Sequence, residues 1–366
     1  MKLLIWISNL LITIVFTSLL SNFKDDDGYI ILQEIELSNT KIKGDFLFDT
    51  GAQLTVIDSS LLESFNYKDI GYITSTDFYG NQKKVKKINI SSIKINETTF
   101  NNIDAFVMNL SAYQCYNFKG IIGFNLIKKA NWHIDFKGKK IKSFPISKSI
   151  YVDKATKLPF KIKNESMQVN LKITSKIYKT IFDSGAKNEI NLAQEDLDTT
   201  KIKDSLYSVE LYTNTLNQKN GIKRTVLFTK MCNLMIGKNS FDKKVSFNGA
   251  RTIGIDFFKN TDFLIIDFKK GEVLFNNTKK PQTEDIITKH GIYFKKLDSG
   301  EIIVSYLRKN STLQKLGIKV GDKVLSVNDI SCDDLNICDC NNLLNKEAKN
   351  GSIKIKFQDK GELFSF

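Results

Sequence analysis

From residue 28 onward, apolar side chains recur at every second position in short runs. "YIILQEIELS", "TKIKGDFLFD", "KKINISSIKIN" and "AFVMNLS" are rich in Ile, Val, Phe and Thr. A period of two sends alternate side chains to opposite faces of an extended chain, so these runs predict β-strands. "YGNQ", "NETT" and "KGKK" supply the turns between them. Helical periodicity is scarce before residue 190, and the pattern predicts a mainly β, largely antiparallel protein.

Two strands end on a carboxylate. "FLFDTGAQLTVI" (46–57) runs into Asp49, Thr50 and Gly51, and "TIFDSGAKNEI" (180–190) repeats the phrase with Asp183, Ser184 and Gly185. Each phrase is followed by two non-charged residues closed by glycine, Ile121-Ile122-Gly123 in the first case and Thr252-Ile253-Gly254 in the second. A short helix-like turn and an Ile-Asp-Phe-Lys strand come after both. Asp49 precedes Gly123 by 74 residues, and Asp183 precedes Gly254 by 71. Matched internal spacing in two copies predicts a duplicated lobe.

The pattern resembles the aspartic peptidases, with two lobes in one chain as in pepsins. Its Asp-Thr-Gly-Ala and Ile-Ile-Gly-Phe-Asn phrases are similar to the retropepsin versions. The resemblance covers about residues 28–276. It implies one catalytic carboxyl from each lobe, Asp49 and Asp183. Two carboxyls about 3 Å apart cannot both ionise easily, so the pair would hold one proton and activate one water. By the same resemblance, Thr50 and Ser184 lock the two loops, while Gly51 and Gly185 allow their close approach. Ile122, Gly123, Ile253 and Gly254 brace the loops from beneath. A flap is expected in "STDFYGNQKKVKK", with Tyr79 and Gly80 at its tip, and a symmetric hairpin around Gly221. The chemistry needs no metal and no organic cofactor.

The text changes after "NNTKKPQTED". "NSTLQKLGIKVGDKVLSVNDI" resembles part of a PDZ domain. The resemblance implies a small α+β unit that binds extended peptides, C-terminal ones among them. Gly291, Ile292, Tyr293 and Phe294 would form its peptide loop, with Tyr293 where a second Gly is usual, and "CNNLLNKEA" the other groove wall. The expected organisation is residues 1–23 as signal peptide or membrane anchor, 28–148 and 149–278 as two pseudo-symmetric pepsin/retropepsin-like lobes, and 284–366 as the PDZ-like domain.

Composition narrows the alternatives. The chain has 366 residues and a net charge of +14. Its lysines are spread throughout, which predicts a solvated basic surface and no nucleic-acid partner. The apolar run from Leu3 to Leu20 implies membrane association if retained. Whether cleaved or kept, it points to an extracytoplasmic location, periplasmic, secreted or membrane-anchored. Only two histidines are present, His133 and His290, and no nucleophile motif accompanies either. His133 is expected at a surface or sheet edge. Among the five cysteines, Cys338 and Cys340 are too close together, with too few partners, for a zinc site. The function expected is an aspartic endopeptidase acting on peptides or proteins. Its rival is an inactive peptidase-like scaffold that binds peptides through the PDZ-like domain.

Overall fold

The computed structural model describes residues 21–366 apart from 27, 77–79, 112, 114–115, 198–205, 216–217, 230–231, 277–290, 298, 333–336, 338–339, 342–343, 345–352, 361–362 and 366. The protein is mainly β. The first lobe contains β1 (Ser21–Asp26), β2 (Tyr29–Leu37), β3 (Thr40–Phe48), β4 (Thr55–Asp58), β5 (Lys68–Thr76), β6 (Gln82–Ile95), β7 (Thr98–Met108), β8 (Phe118–Ile122), β9 (Ala130–Asp135) and β10 (Lys140–Pro145), with one helical turn, α1 (Phe124–Ile127). The second contains β11 (Thr156–Lys163), β12 (Ser166–Ile173), β13 (Lys176–Asp183), β14 (Ile190–Leu192), β15 (Leu206–Thr215), β16 (Gln218–Thr229), β17 (Cys232–Ile236), β18 (Asn239–Lys243), β19 (Val245–Phe247), β20 (Thr252–Gly254), β21 (Phe263–Asp267) and β22 (Glu272–Phe275). A C-terminal unit follows, with β23 (Ile292–Lys296), β24 (Ile302–Arg308), α2 (Thr312–Lys315), β25 (Val324–Val327), β26 (Ile330–Ser331), β27 (Lys354–Phe357) and β28 (Leu363–Ser365).

The two lobes follow the same path. In the first, β3 lies antiparallel to β2 and parallel to β8, β8 lies antiparallel to β4, and β4 lies parallel to β7. In the second, β13 lies antiparallel to β12 and parallel to β20, β20 lies antiparallel to β14, and β14 lies parallel to β19. Fully buried Phe48, Trp132, Phe182 and Phe258 belong to one apolar cluster that runs through both lobes. Burying a side chain of this size stabilises the fold by about 1.5–3 kcal/mol.

An antiparallel sheet of order β1–β10–β9–β21–β22–β11 joins the lobes. Two expectations change here. Residues 21–23, expected in the leader, belong to β1. Ser21 and Asn22 pair with β10, and the buried Phe23 meets Phe136 edge-on at 6.2 Å. His133 is on the central strand β9, between Lys142 of β10 and Ile265 of β21, and not at an edge. The β1–β10 and β9–β21 pairings join residues far apart in sequence, which local pattern cannot reveal. Residues 1–20 lie outside the described residues, and none of the described helices is long and apolar enough to cross a membrane.

The C-terminal unit has its own core, including Ile292, Phe294, Leu307, Val324 and Ile355. It joins the second lobe through backbone. Residues 306–308 of β24 pair antiparallel with 209–211 of β15, and Lys309 N–H donates to Ser208 O at 3.0 Å. The strands β15 and β16 form the hairpin expected around Gly221. Thr215 pairs with Gln218 at its turn, so Gly221 lies inside β16 and not at the tip.

Candidate active site

Strand alternation sets the direction of the two carboxylates. Phe48 and Phe182 are fully buried, so the next residue in each strand faces the other way, out of the core. Asp49 and Asp183 therefore stand half-buried where the lobes meet. Each carboxyl lies against the glycine of the opposite loop, and each acts on the proton affinity of the other.

The loops that carry them are interlocked by reciprocal bonds. Thr50 Oγ1 donates to Phe182 O at 2.9 Å and accepts from Ser184 N–H at 2.9 Å. Ser184 Oγ donates to Phe48 O at 2.8 Å and accepts from Thr50 N–H at 3.0 Å. Each hydroxyl reaches the opposite lobe, and both residues are fully buried. The glycines follow from the same crossing. A Cβ at Gly51 would sit 2.3 Å from Asp183 Cγ, and one at Gly185 would sit 2.3 Å from Asp49 Cγ. No larger residue fits at either position without moving a carboxyl.

The apolar-Gly segments hold the loops from behind. Ile122 O accepts from Asp49 N–H at 3.0 Å, and Phe124 N–H donates to Ala52 O at 2.7 Å. In the second lobe, Phe182 and Asp183 are in register with Ile253 and Gly254, and Ile255 N–H donates to Ala186 O at 3.0 Å. A Cβ at Gly123 would lie 2.4 Å from Leu54 C, and one at Gly254 would lie 2.3 Å from Asn188 O.

The two carboxyls differ in their surroundings. Asp49 Oδ1 accepts from Gly51 N–H at 2.7 Å and Ala52 N–H at 3.1 Å. Asp183 Oδ1 accepts from Gly185 N–H at 3.0 Å. Burial raises the pKa of Asp49, opposed chiefly by its two N–H donors. Burial raises Asp183 well above the usual carboxylate range, and the Asp49 charge adds to the rise. The pair titrates as one unit, holding a proton that a free carboxyl would lose.

Three neighbours escaped sequence reasoning. Tyr113 and Tyr29 have pKa values raised by burial and, in smaller part, by the charge of Asp49. Lys187, the residue after Asp-Ser-Gly-Ala, holds its ammonium 5.1 Å from the centre of the Tyr29 ring, across the lobe boundary. The aromatic spacing in "SAYQCYNF" was the available signal for Tyr113. Tyr79 lies outside the described residues. Gly80 adopts φ +82° at the end of the β5–β6 hairpin, with open space around it.

In the C-terminal unit, Ile292, Tyr293 and Phe294 are in β23, and Gly291 precedes it at φ +68°. Asn341 bonds the backbone of Phe294 twice. Its Oδ1 accepts from Phe294 N–H at 3.0 Å and its Nδ2 donates to Phe294 O at 3.1 Å. Ile337, Cys340, Asn341 and Leu344 are helical and buried, at a spacing that places them on one helix face.

Residues 34–126, about a quarter of the chain, match a family model described as aspartyl protease. That span includes Asp49, the locking Thr50 and the Ile122-Gly123 brace. The match supports an aspartyl protease family. No curated protein matches the chain.

Proposed function

We propose that the protein is an aspartic endopeptidase with Asp49 and Asp183 as its dyad. The observation that carries this reading is the meeting of two carboxyls, one from each copy of the repeated phrase, on loops interlocked by reciprocal hydrogen bonds. The family match supports the same reading independently.

The asymmetry of the pair suggests how the work divides. Asp49 Oδ1 accepts from two N–H groups where Asp183 Oδ1 accepts from one, and on that geometry Asp49 is given the negative charge and Asp183 the shared proton. Asp49 takes a proton from water as the water oxygen bonds to the scissile carbonyl carbon, and Asp183 gives its proton to the carbonyl oxygen. The tetrahedral diol then collapses. Asp49 passes its proton to the leaving nitrogen, the C–N bond breaks, and a diol hydroxyl returns a proton to Asp183. The locked loops hold both oxygens in place for this exchange.

The C-terminal unit is proposed as PDZ-like, on its order of strand, strand, helix, strand, strand, helix, strand and strand. A C-terminal peptide ligand would pair along the edge of β23. Residues 1–20 are proposed as a signal peptide or anchor that directs the chain out of the cytoplasm. The test is cleavage of an unfolded protein, blocked by a statine-type transition-state analogue. Asp49→Asn and Asp183→Asn should each lower turnover at least about 10³-fold. Turnover unchanged by either substitution would overturn the assignment, and no turnover by the wild type would favour the scaffold reading.

A further inference from the structure

Two thiols lie in contact beside the Asn341–Phe294 contact. Cys332 directly follows β26, and Cys340 is on the helical face that also carries Asn341. Their Sγ atoms are 3.5 Å apart. Both are buried in the core of the C-terminal unit, Cys332 at 3% exposure and Cys340 at 0%. Eight positions separate them, so a bond between them would close a small loop.

We propose that Cys332 and Cys340 form a disulfide that fixes the Asn341 helix against the sheet. The contact distance requires only a small approach of the two sulfurs, and no backbone has to cross the core. Cys338 is closer to Cys332 in sequence, but among the described residues Cys340 is the one whose thiol meets Cys332. Asn341 follows Cys340 directly, so the cross-link would hold the amide that bonds the Phe294 backbone.

The oxidant is a small-molecule disulfide such as oxidised glutathione. One cysteine thiolate attacks a sulfur of that disulfide, forming a mixed disulfide and expelling one small thiol. The other cysteine thiolate attacks the protein-side sulfur, forming the Cys332–Cys340 bond and expelling the second. The protein loses two electrons and two protons, and the small disulfide gains them. The thiol of Cys340 is pushed far above its usual pKa by its hydrogen bond to Cys332 and by burial, so the folded thiol pair attacks slowly. The bond is therefore expected to form during folding.

The test is refolding of the full chain from urea in a glutathione redox buffer, then alkylation and digestion without reduction. The expected product is a Cys332–Cys340 cross-linked peptide, lighter by two hydrogens than the reduced pair, in most molecules. Cys338→Ser should leave it in place. A bridge from Cys338 to either partner, or full alkylation of both Cys332 and Cys340, would overturn the proposal. Hydrogen exchange at the Phe294 amide tests the clamp separately. It should be at least about tenfold slower in oxidised than in reduced wild type. Equal exchange would overturn the clamp. The Cys332→Ala/Cys340→Ala double variant, compared with oxidised wild type, should melt at least about 5 °C lower. An unchanged melt would overturn the proposal as well.

Discussion

Ser184→Ala deletes one oxygen at the point where the lobes cross. That oxygen donates to Phe48 O at 2.8 Å and accepts from Thr50 N–H at 3.0 Å. Thr50, Phe48 and Ser184 are all at 0% exposure, so bulk water cannot take its place. The variant leaves one buried carbonyl and one buried N–H without this partner, at about 1–3 kcal/mol each. Taking about 4 kcal/mol in total, and about 2–4 °C per kcal/mol for a unit of this size, the melting temperature falls by about 8–16 °C. Ser184→Thr keeps the hydroxyl, as Thr50 does at the matching position, and should recover most of the loss. An exposed control, Ser91→Ala, loses only a bond to Ser38 and should change stability by less than about 0.5 kcal/mol. Scanning calorimetry on the three variants, with kcat/KM on an unfolded protein, gives both readouts. A Ser184→Ala melt within about 2 °C of wild type would refute the reasoning, because two buried groups would then cost almost nothing.

Gly185→Ala should abolish turnover while the chain still folds, since its Cβ would occupy the place of the Asp49 carboxyl; a kinetic assay beside a melt separates the two effects. Asp183 binds a proton more tightly folded than unfolded, so its contribution to stability is present at low pH and is lost as pH rises from the ordinary carboxylate value through its raised value. Asp183→Asn should therefore flatten that decline and stabilise the protein more at pH 7 than at pH 4, as read by urea melts at both. Ala52→Ser places a hydroxyl beside the Asp49 carboxylate and should move the upper limb of the kcat/KM profile to lower pH; a limb that stays put would count against the proton-sharing model. A chain ending at Asn276 removes the β24 partner of residues 209–211, whose amides should exchange faster by mass spectrometry.

The site was legible because its chemistry writes short phrases. Asp-Thr-Gly-Ala and Asp-Ser-Gly-Ala sit at strand ends, and the bracing glycines recur at matched distance. The sheet that joins the lobes was not legible, because Asn22 meets Lys140 and Trp132 meets Ile266 across long stretches of chain. Residues 21–23 read as the tail of the apolar leader, although Phe23 is core. Gly221 drew the second hairpin's turn away from its position, because a glycine is a stronger turn signal than the two residues between Thr215 and Gln218. Asn341 lies in the stretch expected as a groove wall, and nothing local signals its bond to Phe294, 47 positions away.

The pairing of β15 with β24 uses a freedom that only a single-chain protein has. In a protein built from two identical subunits, any substitution in one hairpin appears in both, and an appended unit that grips one must grip the other. Here the β5–β6 hairpin and the β15–β16 hairpin are encoded separately. The first ends at Gly80 in open space, while the second gives an edge to the C-terminal unit. Each can change without its twin. The two Asp loops keep their twofold pattern while the two sides of the molecule acquire different inheritances, one left in the open at Gly80 and the other committed to a neighbour on the same chain.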